Sequence, residues 1–107
     1  AIEEKMQKAI AYINDNYKGD ISREGLAASI NMHPDSFGRF FKIYTGKKIS
    51  EYINELRVLD AAGKLLDTDR SIIEIAFDAG FESLPTFNRA FLKIMKATPT
   101  QYRERGR

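Results

Sequence analysis

Apolar residues recur along this chain at intervals of three and four positions, the spacing that places side chains on one face of an α-helix. Residues 2–17 carry the first such stripe, and Gly19 is the predicted stop. The predicted inward positions are Ile2, Met6, Ala9, Ile10, Ile13 and Tyr17. No segment alternates between apolar and polar residues as a half-buried strand does. The pattern therefore predicts an all-α fold with six to seven helices.

A longer stripe extends from Ser50, the predicted N-cap, to about Leu66. Its broad apolar face comprises Tyr52, Ile53, Leu56, Leu59, Ala62, Leu65 and Leu66. At 1.5 Å per residue this helix spans roughly 25 Å. We expect it to act as a stiff linker between the segments before and after it.

A pair of shorter helices follows the long one. Ser71 and Glu74 have the spacing of a capping box, and Gly80 stands where a helix can end in the left-handed conformation. The next helix takes Ser83 or Leu84 as N-cap and carries a proline in its first turn. Its predicted apolar face is Phe87, Phe91, Ile94 and Met95. Two short helices with a glycine-bearing turn are typical of a helix-turn-helix, although two packed helices of a bundle have the same periodicity.

A similar pair precedes the long helix. Ser22 is the predicted N-cap of a helix to about Ile30, Pro34 is placed at the first position of the next helix, and Gly46 ends that helix. The predicted core residues are Leu26, Ala27, Ile30, Phe37, Phe40 and Phe41. His33 is the only histidine and has no neighbouring metal-binding residues, so we assign it to the surface or to a helix cap.

The two pairs are copies of one unit. Ser22, Leu26, Ala27 and Met32 stand 49 positions before Ser71, Ile75, Ala76 and Phe81. Phe37, Arg39 and Phe41 stand 50 positions before Phe87, Arg89 and Phe91. Core packing explains the phenylalanine pairs but does not require an arginine between them, and this favours the helix-turn-helix over the plain bundle.

The second copy resembles the C-terminal signature of the AraC/XylS family of bacterial transcription regulators. The motifs that carry the resemblance are Ile75-Ala76, Gly80-Phe81, Phe87-x-Arg89-x-Phe91 and Thr98-Pro99-x-x-Tyr102-Arg103. The first copy is similar to the first helix-turn-helix of that family through Leu26-Ala27, Arg39-x-Phe41-Lys42 and Thr45-Gly46. The resemblance covers nearly the whole chain.

The resemblance implies sequence-specific binding of double-stranded DNA and regulation of bacterial transcription, as an activator or a repressor. It implies a first helix-turn-helix subdomain over 1–48, a linker helix over 49–66 and a second helix-turn-helix subdomain over 67–107. The second helix of each unit, its recognition helix, would enter one of two successive major grooves. The expected DNA-binding residues are Asp35, Ser36, Gly38, Arg39, Lys42, Ser83, Leu84, Pro85, Thr86, Asn88, Arg89 and Lys93.

The sequence departs from the family pattern at several of these positions. Leu84 and Pro85 stand where polar residues are common, and neither side chain can form a hydrogen bond, although Leu84 can touch a thymine methyl group. Gly38 offers no side chain, and Asp35 repels phosphate unless it accepts from cytosine. Lys96-Ala97 replaces a pair that commonly begins with glycine. These departures concern the target sequence rather than the fold.

The net charge of the chain is only +2. The distribution of charge along the chain is therefore more informative than its total. Residues 1–35 hold four Lys/Arg and six Asp/Glu, whereas residues 36–107 hold thirteen and nine. The excess includes Arg103, Arg105 and Arg107 and indicates a basic face for nucleic acid. A solvated surface of mixed charge has the same composition.

Other classes of function find little support. The chain has no cysteine, which excludes a disulfide framework and a thiolate metal site. No apolar run reaches the length of a membrane span, and no signal peptide is visible in these residues. A lone histidine and the lack of a glycine-rich phosphate loop argue against an enzyme, and we expect no cofactor. The main alternative is a helical protein-interaction module without DNA binding.

The chain starts with Ala1 rather than methionine, so we expect a domain excised from a longer protein. The family resemblance implies a fused sensing or dimerisation domain outside this chain. It further implies RNA polymerase as a second partner and a cytoplasmic location, with no membrane contact.

Overall fold

The computed structural model describes residues 1–107 and contains seven α-helices and no strand, which confirms the all-α prediction. The helices are α1 (Ile2–Asn16), α2 (Arg23–Ser29), α3 (Pro34–Thr45), α4 (Ile49–Asp67), α5 (Ile72–Asp78), α6 (Leu84–Met95) and α7 (Pro99–Arg105). The chain divides into two compact units, unit 1 (Ala1–Ile53) and unit 2 (Asn54–Arg107), with the boundary inside α4. Each unit contains one helix-turn-helix, α2–α3 or α5–α6.

The core of unit 1 is built from the inward faces of its helices. Its buried side chains are Met6, Ala9, Ile13, Leu26, Ala27, Ile30, Phe37, Phe41, Ile49 and Ile53. Phe41 is the aromatic centre, because its ring lies edge-on to Phe37 at 5.7 Å and to Tyr52 at 5.4 Å between centroids. Such pairs add to the hydrophobic contribution of burying the rings.

The core of unit 2 is one continuous cluster. Its buried members are Val58, Ala61, Ala62, Leu65, Ile75, Ala76, Ala79, Phe81, Phe87 and Phe91. Phe87 contacts Phe81 at 5.2 Å and Phe91 at 5.5 Å between ring centroids, and Phe91 contacts Tyr102 of α7 at 5.5 Å. This row of aromatic rings connects the α5–α6 turn with the last helix.

The internal repeat extends to the backbone of the two turns. Asn31 has a φ of 57° and Gly80 a φ of 111°, and these residues stand 49 positions apart. The residues that follow, Met32 and Phe81, each donate their N–H to an alanine carbonyl of the preceding helix, at 2.9 and 3.1 Å. The chain therefore enters both recognition helices through the same kind of turn.

The helix caps are repeated as well. The hydroxyls of Ser22 and Ser71 each accept a backbone N–H three residues later, as predicted. The Glu74 carboxylate accepts a hydrogen bond from the Ser71 hydroxyl at 3.0 Å rather than from its N–H, so the predicted capping box is only half formed. His33 and Ser83 cap the two recognition helices, through Nδ1 and a hydroxyl respectively. A full reciprocal capping box is formed by Thr98 and Gln101 at the start of α7. These caps satisfy backbone donors that a helix cannot pair internally.

The recognition helices end at equivalent residues. Gly46 takes φ 81° after α3, and Lys96 takes φ 61° after α6. The left-handed conformation costs glycine little, but it costs other residues roughly 1–2 kcal/mol. Lys96 therefore takes the same left-handed conformation as Gly46, although it is not a glycine.

Two predictions for inward-facing residues outside the long helix were wrong. Phe40 is 36% exposed, because Phe37 and Phe41 already occupy the inward side of α3 and residue 40 is turned about 100° from residue 41. Ile2, at the start of α1, is 41% exposed.

The predictions for the long helix were partly wrong. It begins at Ile49, so Ser50 is not its N-cap, and the Glu51 carboxylate accepts the Lys48 N–H at 3.1 Å instead. Leu59 is 52% exposed. A single apolar stripe fails here because the two halves of α4 belong to different units and bury different residues, namely Ile49 and Ile53 in unit 1 and Val58, Ala61, Ala62 and Leu65 in unit 2.

The turn between α4 and α5 is held by α7. The Arg103 guanidinium donates from Nε to the Leu65 carbonyl at 3.0 Å and from Nη2 to the carbonyls of Thr68 and Arg70 at 3.2 and 2.7 Å. Arg107 donates to the Asp69 carboxylate at 2.8 Å and to the Thr68 carbonyl. One arginine thus serves carbonyls that the end of a helix leaves unpaired. Arg103 and Arg107, which belong to the basic excess of residues 36–107, therefore have a structural role in this turn.

Arg70 ties the same turn to the helix that follows. Its guanidinium pairs with the carboxylates of Asp78 and, at 3.6 Å, Glu74. The hydrogen bond with Asp78 raises the pKa of Arg70. Because all three side chains are 40–60% exposed, the pairs contribute little to stability.

Replacing Phe91 by alanine should destabilise unit 2 by roughly 3–5 kcal/mol, because the fully buried ring would leave a cavity. The free energy of unfolding in urea measures the loss. The neighbouring change Leu92→Ala, at a side chain that is 50% exposed, should cost roughly 0.5 kcal/mol. Equal losses in the two variants would show that Phe91 is not a core residue.

Arg103→Gln should destabilise the protein by roughly 1–3 kcal/mol, because a carboxamide cannot serve the three carbonyls that the guanidinium binds. Arg105→Gln removes the same charge from an exposed position of α7 and should change stability by at most roughly 0.5 kcal/mol. Thermal unfolding of both variants provides the comparison. Identical melting temperatures would contradict the structural role of Arg103.

Candidate nucleic-acid interface

In unit 1, one side of α3 is turned away from the core and carries the predicted DNA-binding residues. Asp35, Arg39 and Lys42 are exposed, and Ser36 and Gly38 are half-buried. Arg39 donates from Nη2 to the Ser36 hydroxyl at 3.4 Å. The structure therefore places these five residues together over the first three turns of one helix.

The start of α3 is shaped by His33. Its Nδ1 accepts the Asp35 N–H at 3.2 Å and lies 3.9 Å from the Asp35 carboxylate. The prediction that His33 is a surface or capping residue is confirmed. No group of three or more His, Cys, Asp or Glu residues in the chain is arranged to hold a metal ion.

One arginine at this surface does not belong to α3. Arg23 is the first residue of α2, and its Nη2 lies 3.9 Å from Asp35 Oδ1. A Cβ atom built on Gly38 would meet the Cδ and Nη1 atoms of Arg23 at 3.7 and 3.8 Å. Arg23 is absent from the residues predicted above. The available signal was a basic residue directly after the N-cap Ser22.

In unit 2, α6 presents an equivalent surface. Its exposed predicted residues are Pro85, Thr86, Asn88, Arg89 and Lys93, whereas Ser83 and Leu84 are half-buried. The Ser83 hydroxyl accepts the Thr86 N–H at 3.3 Å and donates to Oγ1 of Thr86 at 2.9 Å. Of the two predicted N-cap residues, Ser83 and Leu84, Ser83 is therefore the N-cap.

Leu84 is only partly exposed to solvent. It packs against the core cluster of unit 2, so only part of its side chain remains for a thymine methyl group. It also lines a groove of about 600 Å³ beside α6. Asn88 and Arg89 lie on this groove, together with Ile72, Leu92 and the Thr98–Thr100 segment.

The chemistry available on both helices is hydrogen-bond donation by cations, hydroxyls and amides. Each helix exposes an arginine and, three or four residues later, a lysine: Arg39 with Lys42 and Arg89 with Lys93. Guanidinium groups pair with phosphate and with guanine edges in two-bond geometry. None of the seven helices has both the length and the apolar composition needed to cross a membrane.

Arg57, on α4, has a contact that its sequence context did not reveal. Its guanidinium lies over the Phe81 ring, 5.9 Å from the centroid. This cation–π contact joins α4 to the α5–α6 turn within unit 2.

Comparison with known proteins identifies the family. A family profile described as a helix-turn-helix domain matches residues 26–105. The chain is 32% identical over 100 residues to the regulatory protein SoxS of Escherichia coli K12, covering 94% of both chains. It is 31% identical over 102 residues to the regulatory protein PocR of Salmonella typhimurium, covering 95% of this chain but only 34% of PocR.

Solved structures agree with this result. The DNA-binding domain of AdpA, a global transcriptional factor solved with its target DNA, superposes with a TM-score of 0.86 at 27% identity, over 94% of this chain and 90% of that one. A transcriptional regulator of the AraC type from Chromobacterium violaceum superposes with a TM-score of 0.85 at 28% identity, over 97% and 93%. The chain belongs to the AraC-type family of helix-turn-helix domains, which are DNA-binding parts of transcription regulators and not enzymes.

Proposed function

We propose that this chain binds a specific double-stranded DNA sequence through α3 and α6 and thereby regulates bacterial transcription. The observation that carries the proposal is the repeated exposed surface. In each unit an arginine stands midway between two fully buried phenylalanines and is exposed to solvent. Membership of the family and the likeness to the DNA-bound AdpA domain support it.

The roles that we propose for the two helices of each pair follow from the helix-turn-helix geometry. The first helix of each pair crosses the DNA backbone, and the second presents its N-terminal residues to base edges in the major groove. The two recognition helices then occupy successive major grooves, about 34 Å apart along the duplex. We keep the division into subdomains 1–48 and 67–107 with a linker helix over 49–66 as part of this proposal.

Arg39 and Arg89 are the central residues of the proposed interface. A two-bond contact from arginine to guanine contributes roughly 1–3 kcal/mol of discrimination, whereas a phosphate contact strengthens binding to all sequences alike. Thr86 and Asn88 are exposed at the start of α6 and can bond to a base edge. Lys42 and Lys93, further along the helices, suit phosphate contacts.

The partners outside DNA are also proposals. PocR is about three times as long as the matched segment, since the chain spans 34% of it. A relative of this length supports a fused sensing or dimerisation domain, whereas SoxS, of which the chain covers 94%, gives no such support. Regulation of transcription further implies contact with RNA polymerase and a location in the cytoplasm.

A second candidate function is a helical protein-interaction module without DNA binding. The observation that favours it is a row of exposed apolar side chains on α3. Phe40, Ile43 and Tyr44 are 36%, 80% and 43% exposed, and their spacing places them on one side of the helix. Exposed apolar groups of this kind can mark a protein contact.

Replacing Arg89 or Arg39 by alanine should weaken specific DNA binding by roughly 1–3 kcal/mol each, while thermal stability stays nearly unchanged, because both side chains are exposed. Fluorescence anisotropy with labelled duplex and a thermal melt provide the two readouts. Lys8→Ala, at an exposed position of α1 outside both helix-turn-helix pairs, is the charge-matched control. Folded Arg39 and Arg89 variants with undiminished binding would favour the interaction module.

Selection of bound sites from a random duplex pool should enrich a motif with two boxes about one helical turn apart. Affinity for the enriched duplex should fall steeply as salt rises, because bound lysines and arginines release counterions from the phosphates. Enrichment of a single box would assign base reading to one unit. Absence of enrichment at every salt concentration would overturn the proposed function.

A further inference from the structure

A side chain from α2 lies on the face of the recognition helix of unit 1. Arg23 reaches across to α3, where its Cδ and Nη1 atoms are 3.7 and 3.8 Å from the position that a Cβ on Gly38 would take. Its Nη2 lies 3.9 Å from Asp35 Oδ1. Asp35 and Gly38 are three residues apart and therefore neighbours on one side of the helix.

The Arg23 side chain lies at van der Waals distance over the Gly38 position of α3. At a position expected to face DNA, a glycine leaves a gap in the row of side chains between Asp35 and Lys42. The stem of Arg23 covers this gap, and half of the side chain, 51%, remains exposed. The guanidinium is thus available to a partner outside the protein.

Two carboxylates surround this guanidinium. Asp35 lies beside Nη2, and Glu24 accepts from Nε at 3.5 Å. A guanidinium has five N–H donors, so these contacts leave donors for a third partner. Asp35 also ceases to be a simple source of repulsion toward phosphate, because a cation lies against it.

The two corresponding positions of unit 2 carry different residues. The residue 49 positions after Arg23 is Ile72, and the residue 50 positions after Gly38 is Asn88. Both line the groove beside α6. In unit 2 the polar side chain therefore comes from the recognition helix itself and the apolar one from the helix before it. In unit 1 the helix before supplies the polar side chain and the recognition helix supplies none.

We propose that Arg23 is a DNA-contacting residue of unit 1, which supplies from α2 the hydrogen-bond donors that Gly38 lacks. The first helix of a helix-turn-helix crosses the DNA backbone, and the N-terminal turn of the second faces base edges. Arg23 sits where these two regions meet. Its target is an acceptor on DNA, either a phosphate oxygen or the edge of a guanine. The inference rests on the function proposed above.

The test is binding of Arg23→Gln to the duplex that the unaltered chain selects. We expect about tenfold weaker binding, with a thermal melt that matches the parent. A phosphate contact lowers the slope of log affinity against log salt by about one unit and weakens all sequences alike. A guanine contact instead relaxes the preference at one base pair of one box in a repeated selection.

Two further variants keep the result unambiguous. Lys8→Gln removes the same charge from an exposed position of α1, outside the helix-turn-helix. Arg23→Lys keeps the charge but loses the planar fork, so it should retain a phosphate contact and lose a guanine preference. If Arg23→Gln matches Lys8→Gln in affinity, salt slope and selected motif, Arg23 does not contact DNA. If the unaltered chain selects no motif, the proposed function itself fails.

Discussion

The inward packing of two phenylalanines, four residues apart on α3 and again on α6, sets the rotation of both recognition helices. Phe37 and Phe41 are fully buried in unit 1, and Phe87 and Phe91 in unit 2. A residue midway between such a pair is turned roughly 200° from either ring, so it faces solvent. The surfaces that we propose for DNA are therefore a consequence of core packing, and a core mutation can alter binding without touching a single polar residue.

The second constraint is the left-handed backbone conformation that the turns require. The two units satisfy it with different residues. Asparagine and glycine are the residues that enter the left-handed region most readily, and they supply it at 31 and 80. After the recognition helices the same region is taken by Gly46 and by Lys96. The fold tolerates this lysine because aromatic packing in unit 2, from Phe81 to Tyr102, already holds the helices on either side.

Local sequence patterns predicted the features that depend on residues close together in the chain. Helix periodicity, the serine caps and the repeat located the helices and most of the core, but not Ile49, Val58 and Ala61 of the long helix. They failed where tertiary contacts decide. α4 serves two units, which exposes Leu59. Arg103 binds carbonyls 33 to 38 residues away, and Arg23 lies beside Asp35, 12 residues away. Charge counts could not separate an arginine that binds carbonyls from one that we propose to face DNA, because both contribute the same charge to the composition.

The pattern of agreement between the two copies bears on how the chain reads DNA. Caps, turn geometry and core phenylalanines are shared, as is the central arginine of each recognition helix. The exposed residues around that arginine are not: Asp35 and Gly38 of unit 1 correspond to Pro85 and Asn88 of unit 2. Base edges are distinguished by the donors and acceptors that face them. In the proposed mode of binding, helices that differ at these residues therefore prefer different sequences. Two units with one scaffold and two unlike faces favour an operator whose boxes are not copies of each other.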